Sequence, residues 1–258
     1  MHLCQAHFDQ DVHRKIRESL RRTGRFRRGA RVAVGLSGGK GSATLFYVLK
    51  NLFSRRRDID LLAVIIDEGR EGRAALGCAR TLAERLEVPY FVKSLPDAVR
   101  ANSPDPALKR DVFSPCGVSF ALKKRLLKKV AREVGANVLA TGHSLDDEAL
   151  GIFINYLRGD MEELLPLGDQ IAWVKPLQRI PEREIRLYAI THDLWGLGLC
   201  ILDSRPKAEA LQGEAKRHLD GFDSRHPGTK YSLLHSMERV LTLKEAGCKR
   251  PLPEGQSL

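Results

Sequence analysis

A glycine-rich turn between an apolar stretch and an amphipathic segment constrains the fold of this chain more than any other feature. Residues 31–36 are mostly apolar, and Ser37-Gly-Gly-Lys-Gly-Ser42 follows at once. Beyond the turn, apolar side chains recur at helical spacing, at Leu45, Val48, Leu49, Leu52 and Phe53. This pattern predicts a strand, a turn and a helix. Glycines let backbone N–H groups crowd around an anion, and the helix N-terminus adds partial positive charge. We therefore expect a bound phosphate, the alternative being a turn without a ligand.

Two common phosphate-binding patterns do not fit the turn. In a P-loop, a glycine would stand at Val34, and Ser or Thr rather than Gly41 would follow the lysine. A dinucleotide-binding loop would have its third glycine at Thr44. The remaining pattern resembles the Ser-Gly-Gly-x-Asp-Ser loop of ATP pyrophosphatases, which activate a substrate by adenylation. The chain departs from that loop at Gly41, where those proteins have aspartate.

The predicted elements alternate between strand and helix. Further strands are predicted at residues 59–66, 89–93, 137–143 and 171–177, with helices at 73–86, up to 134 and 181–192. This order predicts an α/β fold, a doubly wound parallel five-stranded sheet with a helical C-terminal part. We divide the chain into a basic N-terminal helical segment (1–30), an α/β domain (31–204) and a C-terminal helical extension (205–258).

Acidic residues follow the fourth predicted strand. Gly142, His143, Asp146 and Asp147 would lie at its carboxyl end, which in an open parallel sheet is the edge where ligands bind. The glycine-rich turn follows the first strand at that same edge. The acids could also serve only as favourable partners of a helix dipole.

The charge balance indicates a polyanionic partner. The chain has 258 residues and a formal net charge of +11, which is typical of proteins that handle nucleic acid. Residues 11–28, predicted to be helical, and a second helix near 123–129 are strongly basic, although such runs are often solvated surfaces. We expect contacts to a nucleic-acid backbone from Arg21, Arg22, Arg27, Arg28, Lys124 and Lys128. No apolar run has the length of a membrane span and no signal peptide is evident, so we expect a cytoplasmic protein without membrane contact.

The five cysteines do not form a disulfide or metal framework. No Cys-x-x-Cys pair occurs, in keeping with a reducing compartment. Cys4 and His7 have the spacing of half a zinc site, but a second pair of ligands is missing. We expect no bound metal from this pattern.

Four stretches together resemble the tRNA 2-thiouridine synthetases of the two-thiocytidine and cytosolic thiouridylase group. They are Ser37-Gly-Gly-Lys-Gly-Ser42, Ile66-Asp-Glu-Gly69, Ala140-Thr-Gly-His-Ser-Leu-Asp-Asp-Glu-Ala149 and Asn155-Tyr-Leu-Arg-Gly-Asp160. The resemblance covers roughly residues 30–240 and implies a Rossmann-like adenine nucleotide alpha hydrolase fold. It also implies that ATP, with Mg²⁺, adenylates a tRNA uridine at its C2 oxygen before sulfur displaces AMP.

The resemblance implies roles for individual residues. It assigns catalytic positions to Lys123, Asp147 and Cys116, with Lys123 meeting developing negative charge. The nucleotide would be framed by backbone groups of the glycine-rich turn and its neighbours, namely Gly35, Leu36, Ser37, Gly38, Gly39, Lys40, Gly41, Ser42, Ile66 and Gly142. Each could instead be structural, particularly Ile66 as a core residue.

The chain departs from that family at its cysteines. The family has a Cys-x-x-Cys and a later cysteine that hold an iron–sulfur cluster or cycle sulfur. Those positions are Cys116, Ser119 and a position near Ser204 in this chain, so one thiol remains. We expect no iron–sulfur cluster, and sulfur delivered through Cys116 or by a sulfur-carrier protein; a homodimer is possible. The alternative is a catalytically degenerate relative that binds a nucleotide, RNA or a partner protein.

Overall fold

The computed structural model describes residues 4–69, 72–97, 120–160, 171–194 and 210–247. Its centre is a parallel five-stranded sheet in the order β3-β2-β1-β4-β5, which confirms the predicted fold class. The strands are β1 (Ala30–Gly35), β2 (Ile59–Asp67), β3 (Tyr90–Ser94), β4 (Val138–Thr141) and β5 (Ala172–Val174). The helices are α1 (Gln5–Thr23), α2 (Lys40–Phe53), α3 (Arg73–Arg85), α4 (Phe120–Glu133), α5 (Leu145–Arg158), α6 (Glu182–Thr191), α7 (Ala210–Arg225) and α8 (Thr229–Gly247).

The strand order reverses beside β1. Successive strands β2 and β3 extend the sheet on one side of β1, whereas β4 and β5 extend it on the other. At the carboxyl end of β1, Gly35 aligns with Val64 of β2 and with Thr141 of β4. The loops that follow β1 and β4 therefore leave the sheet side by side and in opposite directions. In open α/β sheets such a reversal opens the crevice in which ligands bind.

Both faces of the sheet are covered, because strand residues alternate between two hydrophobic clusters. Val32 and Val34 point into a cluster with α1, α2, α3 and α6, whereas Ala33 points into a second cluster with α4. This alternation explains why the strands read as continuous apolar runs. A third cluster joins α5 to α8 through Leu145, Ile152, Leu234 and Met237.

The N-terminal helix differs from its predicted extent of 11–28. It begins at Gln5 and ends at Thr23, where Gly24 adopts a left-handed conformation and its N–H donates to the carbonyl of Arg21. Such a glycine terminates a helix. Val12 and Ile16 of α1 are fully buried in the main core, so the helix packs onto the α/β domain. The division into three segments stays a prediction.

The remaining differences are small. β5 ends at Val174, earlier than predicted, because Pro176 lacks the N–H that a ladder would need. The prolines and polar residues of 95–115 predict a long surface loop, and the apolar run 197–202 predicts a short strand. Residues 98–115 and 197–202 lie outside the described residues. No helix in the described ranges is both long and apolar enough to cross a membrane.

Candidate nucleotide-binding site

One serine hydroxyl organises the glycine-rich turn. The Oγ of Ser42 accepts a hydrogen bond from the backbone N–H of Ser37 at 3.1 Å and donates to the carbonyl of Gly39 at 2.9 Å. It also lies 3.1 Å from the Oγ of Ser37. The turn is thus folded back on itself directly before α2, whose first N–H groups have no partner within the helix. These donors are suited to bind the oxygens of a phosphate.

Gly38 occupies a position that no other residue can take without a backbone shift. Its φ is +78°, in the left-handed region, and a Cβ atom there would lie 2.1 Å from the carbonyl oxygen of Ala75 in α3. Both the conformation and the contact require glycine. The turn is therefore held against α3 by a backbone contact.

Gly41 and Gly142 form the second backbone contact. A Cβ atom on Gly41 would lie 2.3 Å from the carbonyl oxygen of Gly142, and one on Gly142 would lie 2.4 Å from the carbonyl carbon of Gly41. The loops after β1 and β4 thus touch through their main chains. This contact gives a physical reason for glycine at position 41, because an aspartate there would displace the Gly142 backbone.

Two lysines approach this edge of the sheet, each paired with a glutamate. The Nζ of Lys40, the first residue of α2, lies 2.6 Å from a carboxylate oxygen of Glu182. The Nζ of Lys123 on α4 lies 2.6 Å from Glu68, which follows β2. About a third of the Lys123 and Glu68 side chains is exposed, so a phosphate could compete for either ammonium group.

Both aspartates after β4 make structural contacts, one local and one with distant segments. The carboxylate of Asp147 accepts hydrogen bonds from the backbone N–H and the hydroxyl of Ser144, which forms a capping box at the start of α5. Asp146 accepts from the N–H of Glu182 and pairs with Lys230 of α8, each at 2.6 Å. Burial alone would raise the pKa of Asp146, but these two partners lower it below 3.8.

A hydrogen-bonded chain connects β5 to the residue after Gly142. The indole Nε1–H of Trp173 donates to the hydroxyl of Thr141 at 2.7 Å, and that hydroxyl lies 2.9 Å from the Nδ1 of His143. Since the hydroxyl accepts from the indole, its own proton can be donated to Nδ1. Burial lowers the pKa of His143 below 6.5, against the opposing effect of Glu148. The imidazole is thus held neutral near pH 7.

Comparisons with known proteins show the family of this chain. The sequence profile of the PP-loop domain matches residues 8–195. The chain belongs to this PP-loop family. It is 31% identical to the tRNA 2-thiolation protein NcsA of Haloferax volcanii over 94% of this chain and 82% of the relative. It is 35% identical to the cytoplasmic tRNA 2-thiolation protein 1 of Bos taurus over 88% of this chain and 68% of the relative.

A solved structure is similar over most of the chain. The U34-tRNA thiolase NcsA from Methanococcus maripaludis, solved with its [4Fe-4S] cluster, matches with a TM-score of 0.77 and 27% identity. The match covers 93% of this chain and 80% of that thiolase. The family match supports ATP as the ligand class. We call the turn at residues 37–42 the PP-loop, since the sequence predicts that this turn is the phosphate-binding loop.

The structure gathers some of the predicted site residues at the PP-loop. Residues 37–42, Gly142 and Lys123 all lie at the carboxyl edge of the sheet. Leu36 is buried in the core, and Ile66 packs against the cluster formed with α4. A Cβ atom on Gly35 would meet the side chain of Leu127 at 2.8 Å, so α4 closes over the end of β1. Cys116 lies outside the described residues.

The predicted RNA-binding residues separate into two places. Arg21, Arg22, Arg27 and Arg28 are exposed. Arg27 and Arg28 precede β1 and therefore lie at the amino edge of the sheet, opposite the PP-loop. Lys124 and Lys128 lie on α4, where both ammonium groups face the ring of Trp173.

Sequence reasoning missed the groups that surround the PP-loop. It did not assign a role at the site to Thr141, Trp173, Lys175, Glu182 or Lys230. Thr141 belongs to the stretch 140–149 with family resemblance, which was the one available signal among them in the analysis above. Nothing local to Lys230 in the sequence indicates its contact with Asp146.

The expectation that no iron–sulfur cluster is bound stays a prediction, because the three family positions lie outside the described residues. Within the described ranges, no group of three His, Cys, Asp or Glu side chains could hold a metal ion. Clusters are held by several cysteine thiolates. At the three family positions this chain offers one cysteine and two serines, which lie outside the described residues.

Proposed function

We propose that this chain is an ATP-dependent tRNA sulfurtransferase that adenylates a uridine and exchanges its C2 oxygen for sulfur. The observation that carries the proposal is the PP-loop itself, placed at the crevice between β1 and β4 with donor N–H groups at the start of α2. Its relatives named for tRNA 2-thiolation support the choice of substrate. The relative from Bos taurus is named as cytoplasmic, and we infer the same location for this chain.

The first chemical step needs a site that holds a departing pyrophosphate. The C2 oxygen of uridine attacks the α-phosphorus of ATP, the bond from that phosphorus to the bridging oxygen breaks, and pyrophosphate leaves. Its charge would be stabilised by the N–H groups of residues 38–42 and by Lys40, once that ammonium turns from Glu182 to phosphate. A second displacement then forms the carbon–sulfur bond at C2 and releases AMP.

Lys123 is the residue we propose for the charge that develops on the α-phosphate. It lies on α4 beside the carboxyl end of β2, within 2.6 Å of Glu68, and can exchange this carboxylate for phosphate oxygens. Asp147 would act by fixing the start of α5 and the turn that contains Gly142, since its carboxylate binds Ser144. Mg²⁺ would be bound mainly by the triphosphate, as this ion often uses one or two carboxylates together with substrate phosphates.

Sulfur is expected to reach the site without a cluster. A single thiol and two serine hydroxyls are a poor ligand set for iron. We therefore propose that a sulfur-carrier protein supplies the sulfur as a thiocarboxylate, whose sulfur attacks C2 as AMP leaves; water then cleaves the bond between the carrier's acyl carbon and that sulfur. A route through Cys116 would start from a persulfide on this thiol and would need a further thiol of a partner protein, which releases the thiolated base by forming a disulfide with Cys116. A homodimer remains part of the proposal and would be measured by light scattering.

The second candidate function is a nucleotide- and RNA-binding protein without turnover. The contact between Gly41 and Gly142 favours it, because the backbone of Gly142 occupies the space that a carboxylate side chain at position 41 would need. Mass spectrometry of tRNA nucleosides from cells with and without the gene separates the two candidates. Loss of a 2-thiolated nucleoside in the deletion strain, restored by the wild-type gene, supports the enzyme; an unchanged nucleoside profile favours the binding protein.

Gly41→Asp sharpens that test. If the chain were merely an enzyme lacking one carboxylate, the variant would gain activity. We expect the opposite, since the new side chain must displace Gly142, and ATP affinity should fall. Gly77→Ala is the matched control, because a Cβ atom there meets nothing within 4 Å. Calorimetric titration with ATP and Mg²⁺ measures both variants, and tighter ATP binding by Gly41→Asp would contradict the expectation.

A further inference from the structure

Three lysine ammonium groups converge on one tryptophan ring beside the PP-loop. The Nζ atoms of Lys124, Lys128 and Lys175 lie 5.1, 5.0 and 5.6 Å from the centre of the Trp173 ring. Lys124 and Lys128 are one turn apart on α4, whereas Lys175 follows β5. Two separate elements therefore bring positive charge to the same place, which we call the Trp173 cluster.

The ring at the centre of this cluster is fixed in position. Its Nε1–H donates to Thr141, and its apolar surface packs against the core beneath α4. Each ammonium gains about 0.5–1 kcal/mol from the ring face at an exposed site, while the like charges repel one another. Glu148 pairs with Lys175 at 2.6 Å. Because the ring is fixed, the three ammonium groups around it are preorganised to bind an anion that contacts several of them.

The cluster lies next to the PP-loop but is separate from it. Thr141 is the last residue of β4, and Gly142 after it contacts Gly41 of the loop. The PP-loop donors lie on the β1 side of that contact, and the Trp173 cluster lies on the β4 and β5 side. A triphosphate bound along the loop would thus leave the cluster to a second anion.

We propose that the Trp173 cluster binds a backbone phosphate of the RNA substrate and so positions the reacting nucleotide at the crevice between β1 and β4. This inference rests on the proposed function, which supplies tRNA as the substrate. Lysine is a point charge suited to a phosphodiester oxygen, and three such charges can follow the backbone without reading its sequence. ATP also carries phosphate groups. The test must therefore distinguish a phosphate of the RNA backbone from a phosphate of ATP.

Fluorescence of Trp173 provides the first test. The chain has two tryptophans, and Trp195→Phe leaves Trp173 as the single emitter. Because all three ammonium groups lie within 5.6 Å of its ring centre, their binding to phosphate should change its emission. We expect unmodified tRNA transcript to change the emission with saturation, and ATP with Mg²⁺ to leave it unchanged at concentrations that saturate the PP-loop in calorimetry. Emission that responds to ATP alone would assign the cluster to the nucleotide and overturn the proposal.

The salt dependence of tRNA binding provides the second test. Neutralising Lys124, Lys128 and Lys175 with glutamine should together reduce the slope of log affinity against log salt by about 0.7–0.9, the contribution of the one phosphate that they share. Lys129→Gln is the matched control, because this lysine lies on the same helix with 49% of its side chain exposed and only a distant pairing of 4.0 Å. Cluster variants that change the slope no more than Lys129→Gln would overturn the proposal.

The two tests separate this inference from the proposed function. If the wild-type chain binds ATP but no tRNA, the proposed function and the cluster both fail. If it binds tRNA with unchanged affinity in the cluster variants, only the cluster fails. The fluorescence test keeps all three lysines of the cluster. It therefore still tests the proposal if a lysine variant folds poorly.

Discussion

Positively charged side chains lie near both edges of the sheet. Among the described residues named here, those at the carboxyl edge converge on one ring, whereas those at the amino edge do not. At the amino edge, Arg27 and Arg28 are exposed side chains in a turn. At the carboxyl edge, Lys124, Lys128 and Lys175 surround a single ring next to the PP-loop. The arginines are denser in the sequence, whereas the lysines come from distant segments. Local charge density thus identifies a basic surface, and the fold decides which charges can act on one ligand.

The largest expected effect comes from substituting two glycines that have the same conformation, one near each edge of the sheet. Gly38 in the PP-loop and Gly29 at the amino edge have φ values of +78° and +79°. A Cβ atom on Gly38 would overlap the Ala75 carbonyl, whereas one on Gly29 meets nothing within 4 Å. We expect Gly38→Ala to abolish measurable ATP binding in calorimetry.

The matched variant Gly29→Ala should keep wild-type ATP affinity. It should lose about 1–2 kcal/mol of unfolding free energy, the cost of a left-handed conformation for an L-residue. Thermal unfolding of both variants confirms that the folded protein is being titrated. Equal ATP affinities in folded Gly38→Ala and Gly29→Ala would show that the backbone contact with α3 does not matter for the nucleotide.

Neutralising the arginines should give the next largest effect. The change is Arg21, Arg22, Arg27 and Arg28 to glutamine in one variant. If these side chains follow the tRNA backbone, the slope of log affinity against log salt should fall by about 3. ATP affinity should stay unchanged, because Arg27 and Arg28 lie at the edge opposite the PP-loop. Filter binding across a salt series measures both the affinity and the slope.

The control for the arginines is Arg14→Gln. Arg14 lies on the same helix as Arg21, but Asp11 and Glu18 already pair with it at 2.6 and 2.9 Å. Its removal should change the slope least. A quadruple variant with wild-type affinity at every salt concentration would reassign the arginines to a solvated surface.

Sequence patterns predicted the parts of the molecule that depend on neighbours along the chain. The strands, the PP-loop and most helices follow from apolar periodicity and glycine, which are local signals. Even the end of α1 had a local signal in Gly24, which the run of arginines beyond it obscured. By contrast, the contact between Gly41 and Gly142 joins two loops that only the sheet brings together. The Trp173 cluster and the partner of Asp146 depend on packing in the same way.

The smallest expected effect concerns stability, and it compares one ion pair near each edge. Lys230 and Asp146, with 11% and 17% of their side chains exposed, connect α8 to the start of α5. Arg56 and Asp58, with 42% and 32% exposed, pair before β2 at the amino edge. We expect Lys230→Met to cost about 2 kcal/mol of unfolding free energy, because it removes charge-assisted hydrogen bonds from a partly buried carboxylate. Arg56→Gln should cost less than about 1 kcal/mol.

The pH dependence of unfolding identifies the cause of that difference. Because the folded pKa of Asp146 lies below its ordinary value of 3.8, its contribution to stability is present above that value and is lost as the pH falls through the depressed pKa. For Lys230, burial would lower the pKa, but Asp146 and Asp220 raise it above 10.5. Its contribution is present below pH 10.5 and is lost as the pH rises through the raised pKa. Asp146→Asn should therefore flatten the acid side of the stability curve below about pH 4. If Asp146→Asn keeps the wild-type acid dependence, the stability of this edge comes from apolar packing between α5 and α8 and not from the ion pair.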